Sequence, residues 1–336
     1  MAVLAPSLPD FPLSRLYSPS ATLRLCVKSS PRSTKMDTTQ HSTTHDCPLP
    51  MSRYATRLSE AVPPLRGIRN VARHRLRSGL IALLNRLQPP ATGSFLRCLY
   101  CHYVFDDQIE AFERLLLFLQ QRGRFVDTAT CLRMARGEQP VDGRCFHLSF
   151  DDGFRNHFTN AAPVLRRLGI PCLFFVPSAF VSADYETSRH YCMEATDYAG
   201  AIEMVRWNDL ERMLADGFDI GSHTQTHARF SEISTDPERM RQEFEGSKRE
   251  IERRLGFTCK TISWPYGTLG DADRLSLESV RQSGYEACFG AFRGTVMPGR
   301  TSLFALPRHH FEAQWPLAHV GFFAGGHGER NASIPG

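Results

Sequence analysis

From residue 95 onward, the chain alternates between short apolar runs and longer stretches with helical periodicity. The runs that predict strands span residues 96–102, 145–150, 171–176, 218–222, 261–264, 285–292 and 303–306. Intervening helices are predicted at 107–121, at 156–168, and after an N-cap at Asp236 that is followed by Pro237. Strands that alternate with helices of this length indicate βαβ units and a parallel sheet.

The number of strands favours a barrel. Seven strands within about 230 residues fit a closed or nearly closed ring of parallel strands better than a small open sheet. Strand count alone also admits a doubly wound sheet. The predicted fold class is therefore α/β, with about seven parallel strands.

A helix of different character is predicted before this region, at residues 68–87. The apolar positions near one of its faces are Val71, Leu76, Leu80, Leu83, Leu84 and Leu87. Arginines surround this face, and no Asp or Glu occurs between Val62 and Phe105. The pattern fits a helix that binds a membrane surface or a partner. We favour the alternative, an ordinary helix packed on the main domain with its arginines in water.

The chain divides into four predicted segments. Residues 1–64 are rich in Ser, Thr and Pro and are predicted to be disordered, with Met36 and Met51 as alternative starts. Residues 65–94 form the basic helix and a linker, residues 95–323 form the barrel domain, and residues 324–336 form a flexible tail.

Composition narrows the class of protein. A net charge of +5 and 42% hydrophobic residues are typical of a globular chain, and the basicity is concentrated before the barrel. The ten cysteines form no disulfide framework, and the isolated pair Cys98 and Cys101 lacks a second pair for a zinc site. No apolar run approaches the roughly 20 residues of a membrane span, and no secretory signal is recognisable. The expected location is the cytoplasm.

Polar side chains follow the predicted strands at the points where these end. They are His102, Asp151, Asp152, His223, His227, Tyr266, Arg308, His309 and His310. Because the carboxyl ends of parallel barrel strands meet at one mouth, where active sites assemble, we expect these residues to converge. Each motif alone has a structural explanation, such as a turn or a helix cap. Their joint occurrence at one rim favours a functional site.

The residue types at this rim indicate metal-assisted hydrolysis. Two imidazoles and one carboxylate are a typical ligand set for a catalytic divalent metal with a position left for water. Zn²⁺ is the first choice, and iron, cobalt and nickel also suit these ligands. Asp151 and Asp152 point in different directions from a strand end, so one could hold metal while the other acts as base.

Two further roles complete the chemistry of amide cleavage. The backbone N–H of Tyr266, in a tight turn, is a candidate donor to an oxyanion. The leaving amine needs a proton, which His309 or His310 could supply.

Four motifs resemble the polysaccharide deacetylase family, which shares the NodB homology domain. "SFDDG" (149–153), "HTQTH" (223–227), "WPYG" (264–267) and "LPRHH" (306–310) occur in the family's order. The resemblance covers roughly residues 95–323. It implies a distorted (β/α) barrel with fewer than eight repeats and metal-dependent removal of acetyl groups from N-acetylated sugars.

The resemblance also implies a role for each residue. Asp151 corresponds to the general base, and Asp152, His223 and His227 correspond to the metal ligands. Tyr266 corresponds to the oxyanion donor through its backbone N–H, and the histidine of the last motif corresponds to the acid. That last motif matches loosely, and we assign the acid to His309 rather than His310.

The sequence departs from the family in two places. The family often has an arginine that braces the catalytic carboxylate, and Ser263 stands at that position here. We hypothesise that Arg308 supplies the missing guanidinium. The family's aspartate–tryptophan motif is not recognisable between Tyr285 and Phe304.

The predicted function is a metal-dependent deacetylase of an N-acetylated polysaccharide, oligosaccharide, or lipid- or nucleotide-linked precursor. Without an export signal, a linked precursor is the more plausible substrate. The basic helix 68–87 would then contact the inner membrane face, and nucleic acid is not expected as a partner. The alternatives are a hydrolase of a non-sugar amide or imide, and a carbohydrate-binding member without turnover. The long stretch 182–207 suits a loop that covers substrate or a packed excursion without function.

Overall fold

The computed structural model describes residues 53–63, 67–87, 93–327 and 329. Most of the segments predicted as disordered (1–64) and as a flexible tail (324–336) lie outside these residues. The strands are β1 (Phe95–Cys101), β2 (Arg124–Phe125), β3 (Arg144–Phe150), β4 (Leu173–Val176), β5 (Asp219–Ser222), β6 (Thr261–Ser263), β7 (Ala287–Phe289) and β8 (Arg308–His310).

Helices fill most of the connections between these strands. The α-helices are α1 (Leu58–Ala61), α2 (Ile68–Leu87), α3 (Ile109–Gln120), α4 (Thr128–Arg136), α5 (Ala162–Leu168), α6 (Tyr185–His190), α7 (Trp207–Ala215), α8 (Phe230–Ile233), α9 (Pro237–Arg241), α10 (Ser247–Leu255), α11 (Arg274–Gln282) and α12 (Leu317–Ala324). Short 3₁₀ turns occur at Asp106–Gln108, Ser178–Phe180 and Leu303–Ala305, and π turns at His157–Ala161, Tyr191–Ala195 and Gln242–Gly246.

The strands form one parallel sheet in the order β7-β6-β5-β4-β3-β1-β8, with β2 beside β3. The two ends of this order approach each other. Phe289 of β7 forms a parallel bridge with Leu306, just before β8, and Gly290 N–H donates to the Leu306 carbonyl at 2.9 Å. The fold is therefore a nearly closed α/β barrel of seven parallel strands with a short added strand, which confirms the predicted class.

Alternating side chains of the strands divide the core into an inner and an outer layer. Leu173 and Phe175 of β4 belong to the inner cluster, which includes residues of α4. Phe174 and Val176 pack in the outer cluster with surrounding helices such as α3. This alternation directs one set of strand residues into the barrel, towards its mouth.

The predicted last strand is misplaced. Residues 303–306 form a 3₁₀ turn over Leu303–Ala305, and the strand is Arg308–His310. The residues of β8 are Arg308, His309 and His310, which pair with Cys98, Leu99 and Tyr100 of β1, so no apolar run marks this strand. The shift changes which side chains of the last motif face the barrel mouth.

Helix α2 is present at the predicted residues and packs against α12. Its leucines are exposed rather than buried, among them Leu76 and Leu87. The exposed leucines are therefore not on the face of α2 that packs on the main domain. No helix in the described ranges is long and apolar enough to cross a membrane.

Candidate active site

Asp151 follows β3 directly and is held by Arg308 of β8. The Arg308 guanidinium donates to both carboxylate oxygens, Nη1 to Oδ1 and Nη2 to Oδ2, each at 2.7 Å. Both side chains are buried, and Arg308 also donates to the Gly290 carbonyl at 2.7 Å. Burial alone would raise the pKa of Asp151, but Arg308 and then His223 hold it below its ordinary value. Asp151 is therefore a carboxylate kept ionised in a buried site.

Asp152, His223 and His227 meet beside this pair. The Asp152 Oδ1 atom lies 3.5 Å from His223 Nε2 and 3.4 Å from His227 Nε2. All three side chains are buried, and their ligand atoms lie within 4.8 Å of one another. Burial would raise the pKa of Asp152, but hydrogen bonds with the two imidazoles hold it well below its ordinary value.

The donor set fits a divalent metal. His223 Nδ1 lies 3.0 Å from the Ser263 carbonyl oxygen, to which its N–H can donate. That bond leaves Nε2 facing Asp152, and loss of the Nε2 proton would free its lone pair for a metal, the arrangement that metal-ligating histidines use. One carboxylate oxygen and two imidazole nitrogens that converge in this way could hold a metal. The structure does not identify which metal.

Strained backbone positions coincide with these motifs. Asp152, Thr224, His227 and Tyr266 have φ values of 74°, 65°, 62° and 63°, in the left-handed region that non-glycine residues rarely adopt. Such positions cost of order 1–3 kcal/mol each and persist where the surrounding structure enforces them. Two of these positions, Asp152 and His227, carry side chains that contact each other.

Tyr266 lies next to the His227 ring, with ring centroids 5.1 Å apart. Its hydroxyl donates to the Ala195 carbonyl at 3.0 Å, and the Arg229 guanidinium stacks on its ring at 3.6 Å. Gly267 follows with φ of 68°, and a Cβ there would overlap Ala291. The Tyr266 ring therefore lies beside the group formed by Asp152, His223 and His227, in a turn that the close approach of Gly267 to Ala291 keeps tight.

The structure does not bring His309 to this group. Its Nε2 lies 3.2 Å from the Gly294 carbonyl oxygen and 3.3 Å from Glu329 Oε1. Successive residues of β8 face opposite sides, so Arg308 and His310 face the barrel mouth while His309 faces away. The assignment of His309 rather than His310 as the acid rested on the loosely matching last motif.

His310 instead belongs to a second, partly buried cluster with His102 and Glu312. Glu312 Oε1 lies 2.7 Å from His310 Nε2 and 2.8 Å from His102 Nδ1. Burial opposes protonation of both rings. For His102, Glu312 and the nearby Asp152 and Asp151 carboxylates outweigh it and raise the pKa to about 9, whereas the pKa of His310 stays lowered. Of the two imidazoles, His102 therefore keeps the proton.

His102 was predicted to lie at a strand end, but no role was predicted for it. Glu312 was not predicted as a site residue. Glu312 stands two residues after His310, on the same side of an extended chain. That spacing could have indicated a carboxylate–imidazole pair once β8 was correctly placed.

The long stretch 182–207 packs over the group formed by Asp152, His223 and His227. The hydroxyls of Tyr191 and Tyr198 donate to Asp152 Oδ1 and Oδ2, each at 3.4 Å. The chain before α2 supports this stretch, because Ala55 N–H donates to Ala201 O and Ala199 N–H donates to Ala61 O, each at 2.8 Å. The stretch is therefore a packed excursion whose two tyrosines contact a candidate ligand.

Fold and site together define a parallel-barrel protein with a carboxylate–imidazole centre at the carboxyl ends of its strands. Residues 138–288 match the family model described as polysaccharide deacetylase. This match confirms the resemblance to that family predicted from the motifs. A curated relative, the putative polysaccharide deacetylase YxkH of Bacillus subtilis, is 21% identical over 155 residues. The match covers 46% of this chain and 47% of the relative, so the chain spans about half of that protein's length.

Solved structures share the barrel. IcaB from Ammonifex degensii has a TM-score of 0.58 and 23% identity, over 70% of this chain and 98% of that one. The Streptococcus pyogenes deacetylase PplD, in complex with acetate, has a TM-score of 0.55 and 14% identity over 69% and 99%. The BpsB deacetylase domain from Bordetella bronchiseptica has a TM-score of 0.54 and 18% identity over 66% and 98%. These likenesses confirm the NodB-type fold.

Proposed function

We propose that this protein is a metal-dependent deacetylase that hydrolyses the acetamide of an N-acetylated sugar and releases acetate. The observation that carries the proposal is the division of two adjacent carboxylates. Asp151 pairs with Arg308, whereas Asp152 faces His223 and His227. One carboxylate is thereby available as a base and the other as a ligand.

Asp152, His223 and His227 would hold the metal. Zn²⁺ suits this set best, and cobalt, iron or nickel are compatible. A bound metal would lower the pKa of a water ligand and polarise the acetamide carbonyl. His223 is oriented for this task by Ser263, and Asp152 by the hydroxyls of Tyr191 and Tyr198.

The remaining residues would move protons and bind developing charge. Asp151, held ionised by Arg308, would accept the proton of the attacking water. The backbone N–H of Tyr266 would donate to the oxyanion of the acetamide. In place of His309, His102 would donate a proton to the leaving amine, because Glu312 keeps this imidazole protonated.

The competing interpretations are a hydrolase of a non-sugar amide or imide, and a carbohydrate-binding barrel without turnover. Burying a pair of charges such as Asp151 and Arg308 costs desolvation free energy. A barrel without turnover would have no use for such a pair beside a complete set of metal ligands. That arrangement supports turnover, but it does not distinguish one amide from another. The proposed substrates are N-acetylated polysaccharides, oligosaccharides and lipid- or nucleotide-linked precursors.

Acetate release from a panel of N-acetylated substrates tests the proposal. The panel contains N-acetylglucosamine oligomers and lipid- and nucleotide-linked N-acetyl sugars, each with Zn²⁺ or Co²⁺ and with a chelator. Ring opening of a cyclic imide is followed in parallel by the loss of its ultraviolet absorbance, under the same conditions. Chelator-sensitive acetate release from a sugar would support the proposal. Cleavage of the imide alone would favour the second interpretation, and no turnover with metal bound would favour the third.

A further inference from the structure

Four leucines form an exposed stripe on α2. Leu76, Leu80, Leu83 and Leu87 follow one another at intervals of four, three and four residues, which places them on one helical face. Their exposed fractions are 77%, 53%, 52% and 68%. With a rise of 1.5 Å per residue, the leucine stripe is about 16 Å long. Clustered exposed leucines indicate a binding surface, whereas single ones do not.

The opposite face of α2 anchors the helix to the domain. Ile81 is buried, and the Ser78 carbonyl oxygen lies 3.3 Å from His319 Nε2 of α12. Packing on α12 therefore uses positions away from the leucine stripe. The stripe is free to bind something else without detaching the helix from the barrel.

Exposed arginines continue and flank the stripe. Arg69 and Arg73 extend it towards the helix N-terminus at the same spacing, and Arg75 and Arg86 lie along one side. No acidic residue occurs between Val62 and Phe105 to neutralise them. The surface is therefore apolar along its centre and cationic at one end and along one edge.

We propose that the leucine stripe of α2 and its four arginines bind an anionic lipid surface. The leucines would enter the boundary of the acyl chains while the arginines contact phosphate groups. A second copy of the chain fits less well, because it would offer no carboxylate from this segment to the arginines. Such binding would bring the barrel to substrates at a membrane surface. It goes beyond the proposed function and does not depend on it.

Co-sedimentation of the full chain with vesicles tests this proposal without any turnover measurement. One vesicle type is phosphatidylcholine, and the other is an equimolar mixture of phosphatidylcholine and phosphatidylglycerol. We expect binding to the anionic vesicles, weakened by salt. Leu80→Ser with Leu83→Ser should lower the partition coefficient roughly tenfold or more, because apolar insertion is lost. Each of Arg73→Gln and Arg75→Gln should lower it about fivefold.

Leu275→Ser is the matched control, because Leu275 is 62% exposed on α11, outside the leucine stripe. It should bind like the unaltered chain. The proposal is overturned if the unaltered chain does not sediment with anionic vesicles, or if the double leucine variant binds as well as the control. Equal binding to both vesicle types would overturn the role of the arginines. A dimer in solution that the leucine variant abolishes would assign the stripe to a second copy.

Discussion

Asp151 and Asp152 are neighbouring carboxylates with different partners, and this difference gives each residue its own role. Both are buried, yet each has its own cationic or imidazole partners, and both pKa values are lowered for different reasons. A fixed guanidinium neutralises Asp151, whereas Asp152 faces groups that can share a metal. Asp151 can thus act as a base and Asp152 as a metal ligand, because each negative charge has its own partner.

The first prediction concerns Arg308. Arg308→Lys keeps a positive charge but loses the two parallel bonds to Asp151. We expect the pKa of Asp151 to rise, so the acid limb of the pH profile of kcat/KM should move to higher pH. Turnover at neutral pH should fall by about tenfold or more, at the lower end of what one interaction in an active site supplies. An unchanged acid limb would mean that Arg308 does not brace the base.

The second prediction separates His102 from His309. His102→Gln should lower acetate release by roughly 10²- to 10⁴-fold, the usual contribution of a positioned general acid. His309→Gln is the comparison, and it should stay within a few-fold because its imidazole faces Glu329 and Gly294. Thermal melts of both variants would show whether either loses its fold. The opposite order of effects would restore the acid role to His309.

At the scale of elements, the excursion over the site makes a testable contribution. Tyr191→Phe with Tyr198→Phe removes two hydroxyls from Asp152 and leaves both rings in place. Such supporting contacts commonly change metal affinity by 10- to 100-fold, and we expect a loss of that size for Zn²⁺ by titration calorimetry. Tyr185→Phe, in the same excursion, is the control. Equal affinities in all three proteins would leave the tyrosines a packing role only.

The elements also show what the sequence could and could not predict. Strands such as β3 and β4 are apolar and buried, so their positions and the polar residues that follow them were predictable. β8 was not, because its residues are Arg308, His309 and His310 and its stabilisation comes from buried polar partners. A search for apolar runs therefore cannot find this strand. When a strand is misplaced, the side chains predicted to face the barrel mouth are also wrong.

The excursion shows a second limit. Contacts of Tyr191 and Tyr198 with Asp152 join residues 39 and 46 positions apart. Nothing in local periodicity indicates where a long connection folds back. The left-handed backbone at Asp152 and His227 was equally hidden, because neither residue type requires it.

At the scale of the whole molecule, His102 predicts a pH-dependent stability of the metal-free protein. Its pKa of about 9 in the folded chain exceeds the ordinary value of about 6.5. The contribution of its charge is therefore complete below about pH 6.5 and is lost as the pH rises towards 9. The free energy of unfolding, measured by urea titration with chelator, should fall across this range by a few kcal/mol at most. His102→Gln should flatten that part of the curve, and an unchanged slope would contradict the assignment.

Asp151→Asn and Asp152→Asn, compared for both bound zinc and acetate release, distinguish the base from the metal ligand. Asp151→Asn should bind zinc near the level of the unaltered chain and release almost no acetate. Asp152→Asn should lose zinc and activity together. Thermal melts are needed alongside, because Asp151→Asn leaves the Arg308 charge buried without its partner. Loss of zinc in Asp151→Asn, with zinc retained in Asp152→Asn, would show that the two carboxylates have the opposite roles.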